Sequence, residues 1–222
     1  MNYGYYRPRT TFVVMNLIII NVIMYVATVF AERFMIEHCA LFYFGSPFFK
    51  WYQIVTYMFM HGGVWHIFFN MFSLYMFGTV IESMWGARKF LLYYMVCGIG
   101  AGLVNELSMY LQVLPIEDVR PLTMDAIDTI RRVNMTPTVG ASGAVYGLLL
   151  AYGMMFPNNV LQFIFPPIAL KAKWMVLIFG AIELLSGLTG TMGNVAHFAH
   201  LGGMLFGLVL ILYWKKKNKL YT

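Results

Sequence analysis

Charge is scarce in this sequence. Asp, Glu, Lys and Arg make up 11% of its 222 residues, while 60% are apolar or aromatic. That balance excludes an ordinary soluble domain of this length, in which about a quarter of residues carry charge. Cysteine is scarcer still. Cys39 and Cys97 are the two present, too few for a disulfide framework or a cysteine-based metal site. His61, His66, His197 and His200 offer four ring nitrogens, but no His-Glu-x-x-His segment occurs. The nearest acids, Glu82 and Glu183, fall far along their own predicted helices, so no metal and no other cofactor is expected. The start of the chain lacks the short apolar region and small-residue cleavage site of a signal peptide, because residues 3–9 are polar and the first apolar run is long. The first helix is expected to stay in the mature protein. No second domain and no internal repeat is evident, and residues 1–222 read as one membrane domain.

What is present is a succession of apolar runs near the ~20 residues that cross a bilayer as a helix. They are too long for barrel strands, and the reading is an all-α, multi-pass integral membrane protein. Six spans are predicted, over about 12–30, 65–84, 90–111, 139–156, 174–188 and 195–214. Residues 37–63 are too broken by Gly45, Pro47, Lys50 and Gly62-Gly63 for a clean span, and read as a partly embedded loop on the outer side. Its aromatic cluster, Phe48, Phe49, Trp51 and Tyr52, suits the headgroup level. Residues 112–138 hold Glu117, Asp118, Arg120, Asp125, Asp128, Arg131 and Arg132 and should lie outside the bilayer, with room for a short amphipathic helix. The net charge of +6 does not point to nucleic acid. Ten of the fifteen basic residues, Arg7, Arg9, Arg88, Lys89, Lys171, Lys173, Lys215, Lys216, Lys217 and Lys219, flank spans on one side. By the positive-inside bias both termini face the cytoplasm, and the expected setting is a bacterial inner (plasma) membrane.

Two polar positions stand out within the apolar runs. Ser142, in Gly140-Ala141-Ser142-Gly143, falls where the fourth span opens, and His200, in Ala199-His200-Leu201-Gly202-Gly203, falls inside the last. Ser142 can be read as a packing residue or a helix cap. His200 can be read as interhelical hydrogen-bonding glue, although an ionisable group in a span is by default a functional candidate. Together they make a nucleophile and the base that it needs. Gly143, Gly147 and Ala151 on one helix, and Gly203 and Gly207 on the other, are small-residue stripes that would let the two cross closely. His197, one turn before His200, is the rival base. His66 and Asn70 lie four apart on one face of the second span, placed to meet a developing oxyanion. As an isolated pair they would also serve as glue between helices.

With these motifs in view, the chain resembles a rhomboid protease, the family of intramembrane serine proteases with a six-helix core. The family's Gly-x-Ser-Gly appears as Gly140 to Gly143, its His-x-x-x-Asn as His66 to Asn70, and its Ala-His-x-x-Gly-x-x-x-Gly as Ala199-His200 through Gly203 and Gly207. The resemblance implies a Ser142–His200 dyad without a third acidic member, with His66 and Asn70 holding the oxyanion. It further implies that Tyr146 packs beside the imidazole, that His61 has a structural role in the loop before the second span, and that Glu82 is the glutamate near the span's inner end. One departure is the family's Trp-Arg pair, which falls at Tyr52-Gln53 and implies a differently braced loop. The implied partners are transmembrane protein substrates within the lipid bilayer, with the oligomeric state left open. The competing class is a catalytically silent rhomboid-like binder or a small transporter.

Overall fold

The computed structural model describes residues 11–116, 121, 123–162, 167–190 and 196–220. Arg7, Arg9, Glu117, Asp118, Arg120 and Val195, the first residue of the last predicted span, lie outside the described residues.

Among the described residues five helices are long and apolar enough to cross a membrane: Phe12–Phe30, Val64–Trp85, Ala87–Ile116, Ala172–Thr189 and His197–Lys216. The first, α1, has the predicted bounds and keeps an exposed apolar surface, including Ile19, Ile23 and Phe30, as a lipid-facing helix should. After it come a short α2 (Glu32–Cys39) and the single turn α3 (Gln53–Thr56). The second long helix is α4 (Val64–Ser73), a π-turn at Leu74–Gly78, and α5 (Thr79–Trp85). Helix α6 (Ala87–Val113) is longer at both ends than the predicted span. The amphipathic helix expected in the polar segment is α7 (Met124–Met135), where Thr123 Oγ1 accepts the Ala126 N–H at 3.3 Å as an N-cap.

The fourth predicted span departs from expectation. It is a 14-residue helix, α8 (Ser142–Met155), which at 1.5 Å per residue is about 21 Å long, short of a hydrocarbon core of about 30 Å. The cause lies just before it. Gly140 has φ +135°, outside helical geometry, Thr136 is extended, and Thr138 and Leu41 exchange both backbone hydrogen bonds at 2.7 and 2.9 Å. Thr138 and Gly140 are buried in the surrounding protein, the setting in which a membrane protein tolerates non-helical backbone. Most of α8 is itself buried, so it is the central helix, enclosed by α6 and by α10 (His197–Lys216). Between α8 and α9 (Ala172–Thr189) lies a two-stranded antiparallel ribbon that the sequence does not announce, β1 (Val160–Gln162) and β2 (Ala169–Lys171), in register Val160 opposite Lys171.

One end of the bundle gathers the start of α1, the α5–α6 turn and the end of α10. Glu82, fully buried, accepts the N–H groups of Val13 and Val14 at 2.9 and 2.8 Å and so satisfies two orphan donors of α1. Lys89 donates to the carbonyls of Lys219 and Leu220 and lies 4.7 Å from the Trp214 ring.

At the other end the segment 40–63 is a packed loop with Leu41, Tyr57 and Met58 in the core. Gln53, at the departure from the family's Trp-Arg, is its brace. Its Oε1 accepts the N–H groups of Lys50 (3.0 Å) and Phe42 (3.4 Å), and its Nε2 donates to the carbonyls of Phe48 (3.1 Å) and Glu37 (3.3 Å). The side chain is completely buried. Each buried polar group left unpaired costs about 1–3 kcal/mol. Gln53→Ala should therefore lower unfolding stability in detergent by at least about 2 kcal/mol. A denaturant midpoint equal to that of the unsubstituted protein would dismiss this brace.

Candidate active site

Ser142 takes its position from the turn before it. Gly140 donates its N–H to the Tyr57 carbonyl at 3.0 Å, Ala141 enters the helical region at φ −74°, and Ser142 is the first residue of α8, where its own N–H has no intrahelical acceptor. Glycine at 140 is demanded twice. Its φ is one that other L-residues rarely adopt, and a Cβ there would lie 2.9 Å from His66 Nε2 and 3.4 Å from Ser142 Oγ. The same small volume is thus bordered by both side chains.

His200 comes from the opposite helix, and the glycine stripes decide how near it comes. A Cβ on Gly203 would lie 1.9 Å from the Gly143 carbonyl oxygen, and one on Gly147 would lie 3.2 Å from the Gly203 carbonyl oxygen. The backbones of α8 and α10 therefore touch, as the small-residue pattern predicts. The consequence is the contact on which the sequence reading turned: His200 Nε2 lies 2.7 Å from Ser142 Oγ. Tyr146, one turn along α8, stacks on the His200 ring with centroids 4.3 Å apart and planes 6° from parallel.

His66 and Asn70 face the same groove of about 380 Å³, which Ser142, Tyr146, Trp65 and Phe179 also line. The Gly62 N–H donates to His66 Nδ1 at 3.3 Å, so the proton of a neutral His66 sits on Nε2, the nitrogen turned toward Gly140 and Ser142. Asn70 Nδ2 donates to the His66 carbonyl at 2.9 Å, which fixes its amide. His61 packs behind, with its ring 5.0 Å from that of His66 and almost no exposure. Burial, reinforced by the neighbouring His66 imidazole, pushes His61 down to about 3, so it is neutral at ordinary pH.

Glu183 corrects an expectation: far along its helix as the sequence places it, it nonetheless reaches the histidines. Although it sits in the apolar α9, its carboxylate turns inward and is buried. Oε2 lies 2.6 Å from His197 Nδ1, Oε1 accepts the Tyr146 hydroxyl, and Oε1 lies 3.0 Å from His200 Nδ1. That last pair is at contact distance without the alignment of a good hydrogen bond. His197, the rival base, thus faces the carboxylate through Nδ1. The signal that could have found Glu183 was its setting, since an acid flanked by Ile182, Leu184 and Leu185 is costly in a span unless it faces the interior. Among the described residues no group of three His, Cys, Asp or Glu side chains is arranged to hold a metal ion.

The pieces now stand together: a serine at a helix start, an imidazole against it, and an open groove between apolar helices. Residues 49–217 match the Rhomboid domain family, a stretch that contains every residue of this site. The chain belongs to the rhomboid family. Among its relatives, Rhomboid-like protein 11, chloroplastic, from Arabidopsis thaliana is 31% identical over 201 residues, which is 88% of this chain and 62% of that protein. Rhomboid protein 1, mitochondrial, from Saccharomyces cerevisiae is 29% identical over 74% of this chain and 42% of its own length. The rhomboid protease AarA from Providencia stuartii is 26% identical over 93% of this chain and 74% of its own. This rhomboid chain thus spans less than two thirds of the length of the first two relatives. With its apolar helices, it is an integral membrane protein.

Proposed function

We propose that the chain is an intramembrane serine endopeptidase that cuts transmembrane segments of other proteins, with Ser142 as nucleophile and His200 as general base. The observation that carries this is the 2.7 Å approach of His200 Nε2 to Ser142 Oγ beside an open groove. The hydroxyl donates to the Nε2 lone pair. As Oγ attacks a peptide carbonyl, its proton passes to Nε2 and then to the leaving amine, so that the C–N bond breaks and an acyl-enzyme remains. Water, deprotonated by the same nitrogen, hydrolyses the ester and returns the proton to Ser142. The oxyanion is met beside Gly140, where His66 Nε2–H borders the same small volume as Ser142 Oγ, with Asn70 lining the same groove and the Ser142 N–H, which lacks an intrahelical acceptor, as a further donor. A substrate helix hides its carbonyls in hydrogen bonds, so residues with poor helix propensity near the scissile bond favour cleavage.

The membrane orientation is part of the proposal. Arg88, Lys89, Lys215 and Lys216 stand at one end of the bundle and α7 at the other, and the positive-inside bias assigns the basic end to the cytoplasmic side. Cysteines introduced at Asp125 and Lys217 should label from opposite faces of the membrane; labelling of both from one face would reject this orientation.

Reconstituted with a protein carrying one transmembrane helix, the unsubstituted chain should release fragments cut within that helix, and Ser142→Ala should release none. A chain that only binds or moves membrane helices would release none in either form.

A further inference from the structure

We infer that Glu183 is a positioning residue for His200, making the proposed pair a three-membered Ser142–His200–Glu183 relay. The inference rests on the protease reading and extends it to a helix, α9, from which the sequence motifs take no residue.

Burying a carboxylate in a helix bundle is costly, and it persists only when its oxygens meet donors. Those of Glu183 do. The Tyr146 hydroxyl donates to Oε1, His197 Nδ1 lies 2.6 Å from Oε2, and His200 Nδ1 lies 3.0 Å from Oε1. A carboxylate only accepts, so the nitrogen of His200 that faces it is the one that carries the proton in the neutral ring. Nε2 is then left with its lone pair toward Ser142, the tautomer that a general base needs. The same carboxylate anchors Tyr146, whose ring lies flat on the imidazole at 4.3 Å, so one side chain fixes both the position and the tautomer of His200. When His200 takes the Ser142 proton it becomes an imidazolium. The negative charge 3.0 Å from Nδ1 stabilises that state without itself accepting a proton. The imperfect alignment of this contact is what a resting site shows when the bond tightens only as charge develops.

The bland alternative is that Glu183 merely ties α9 to α10 through His197. The two differ in kinetics and in the imidazole itself. In proteoliposomes Glu183→Gln keeps size and polarity but loses the charge, and should lower kcat about a hundred-fold or more while KM changes little. Glu183→Asp keeps the charge and should recover at least about ten-fold of that loss. In protein labelled with ¹⁵N-histidine, His200 should be protonated at Nδ1, and Glu183→Gln should shift its proton toward Nε2. Unchanged kcat in Glu183→Gln, or a His200 tautomer indifferent to it, overturns the inference and leaves the protease reading intact. An unsubstituted protein that neither cleaves nor reacts at Ser142 removes the protease reading. The tautomer measurement still decides in that case whether Glu183 positions His200. Should Glu183→Gln fail to fold, the Asp variant and the tautomer of the unsubstituted protein decide: Nε2–H on His200, or an Asp variant as inactive as Ser142→Ala, counts against the relay.

Discussion

Ser142→Ala and His200→Ala each abolish cleavage of a membrane-embedded substrate, and the double variant is no more than a few-fold worse than either. That is the result expected if the two side chains act as one unit. A hydroxyl without a base and a base without a hydroxyl are equally idle, and in a serine protease losing either member costs on the order of 10⁶-fold in kcat. The 2.7 Å contact makes the same point structurally, since neither group has another assigned role in the groove. His66→Ala and Asn70→Ala should be less damaging, because one oxyanion donor is worth about 10²- to 10³-fold. The measurement is initial rate by substrate-fragment quantification, with unfolding midpoints run beside it. Single variants whose losses multiply in the double would show that the residues act separately.

The second large effect is structural. Gly203→Ala should cost both activity and stability, since its Cβ would sit 1.9 Å from the Gly143 carbonyl oxygen, and backbone cannot yield as a flexible side chain does. Overpacking of this kind costs about 1–3 kcal/mol. The catalytic cost is larger, because relieving the clash moves α10 away from α8, and a displacement of about 1 Å can cost a hundred-fold in rate. Gly180→Ala is the control. A Cβ there would meet only the flexible end of Met204, its methyl at 3.4 Å and its sulfur at 3.8 Å, and alanine favours a helix, so its stability should hold or rise by up to about 1 kcal/mol. Equal behaviour of the two variants in unfolding and cleavage assays would show that the close crossing is not what assembles the site.

These two predictions draw on what the sequence made legible. The glycine stripes, the serine at a helix start and the histidine in a span could be read as a pattern because each rests on helical periodicity or on the cost of a polar group in lipid. The bounds of α1 were legible for the same reason. Its run from Phe12 to Phe30 carries no charge and is apolar but for Asn16, Asn21 and Thr28, between polar flanks. Three features were not. The start of α8 moved from Val139 to Ser142 because the strained Gly140 and the pairing of Thr138 with Leu41 are tertiary facts, invisible in an apolar run. The brace at Gln53 was visible only as a departure from a family pattern, and the four backbone partners that give it meaning come from a folded loop. Glu183 was misplaced because distance along a helix says nothing of what faces that residue from the next. His197 and His200 begin α10 beside the end of α9, and this antiparallel juxtaposition sets the carboxylate between them.

The most direct measurement of the central claim is chemical. A fluorophosphonate reacts with a serine oxygen only where a base removes its proton, so it reads nucleophile and base together without any choice of protein substrate. Mass spectrometry of the reconstituted, folded protein after such labelling should place a single adduct on Ser142, absent from Ser142→Ala and from His200→Ala and much slowed in Glu183→Gln. An unlabelled Ser142 in the folded protein, or one labelled equally well in His200→Ala, would contradict the account.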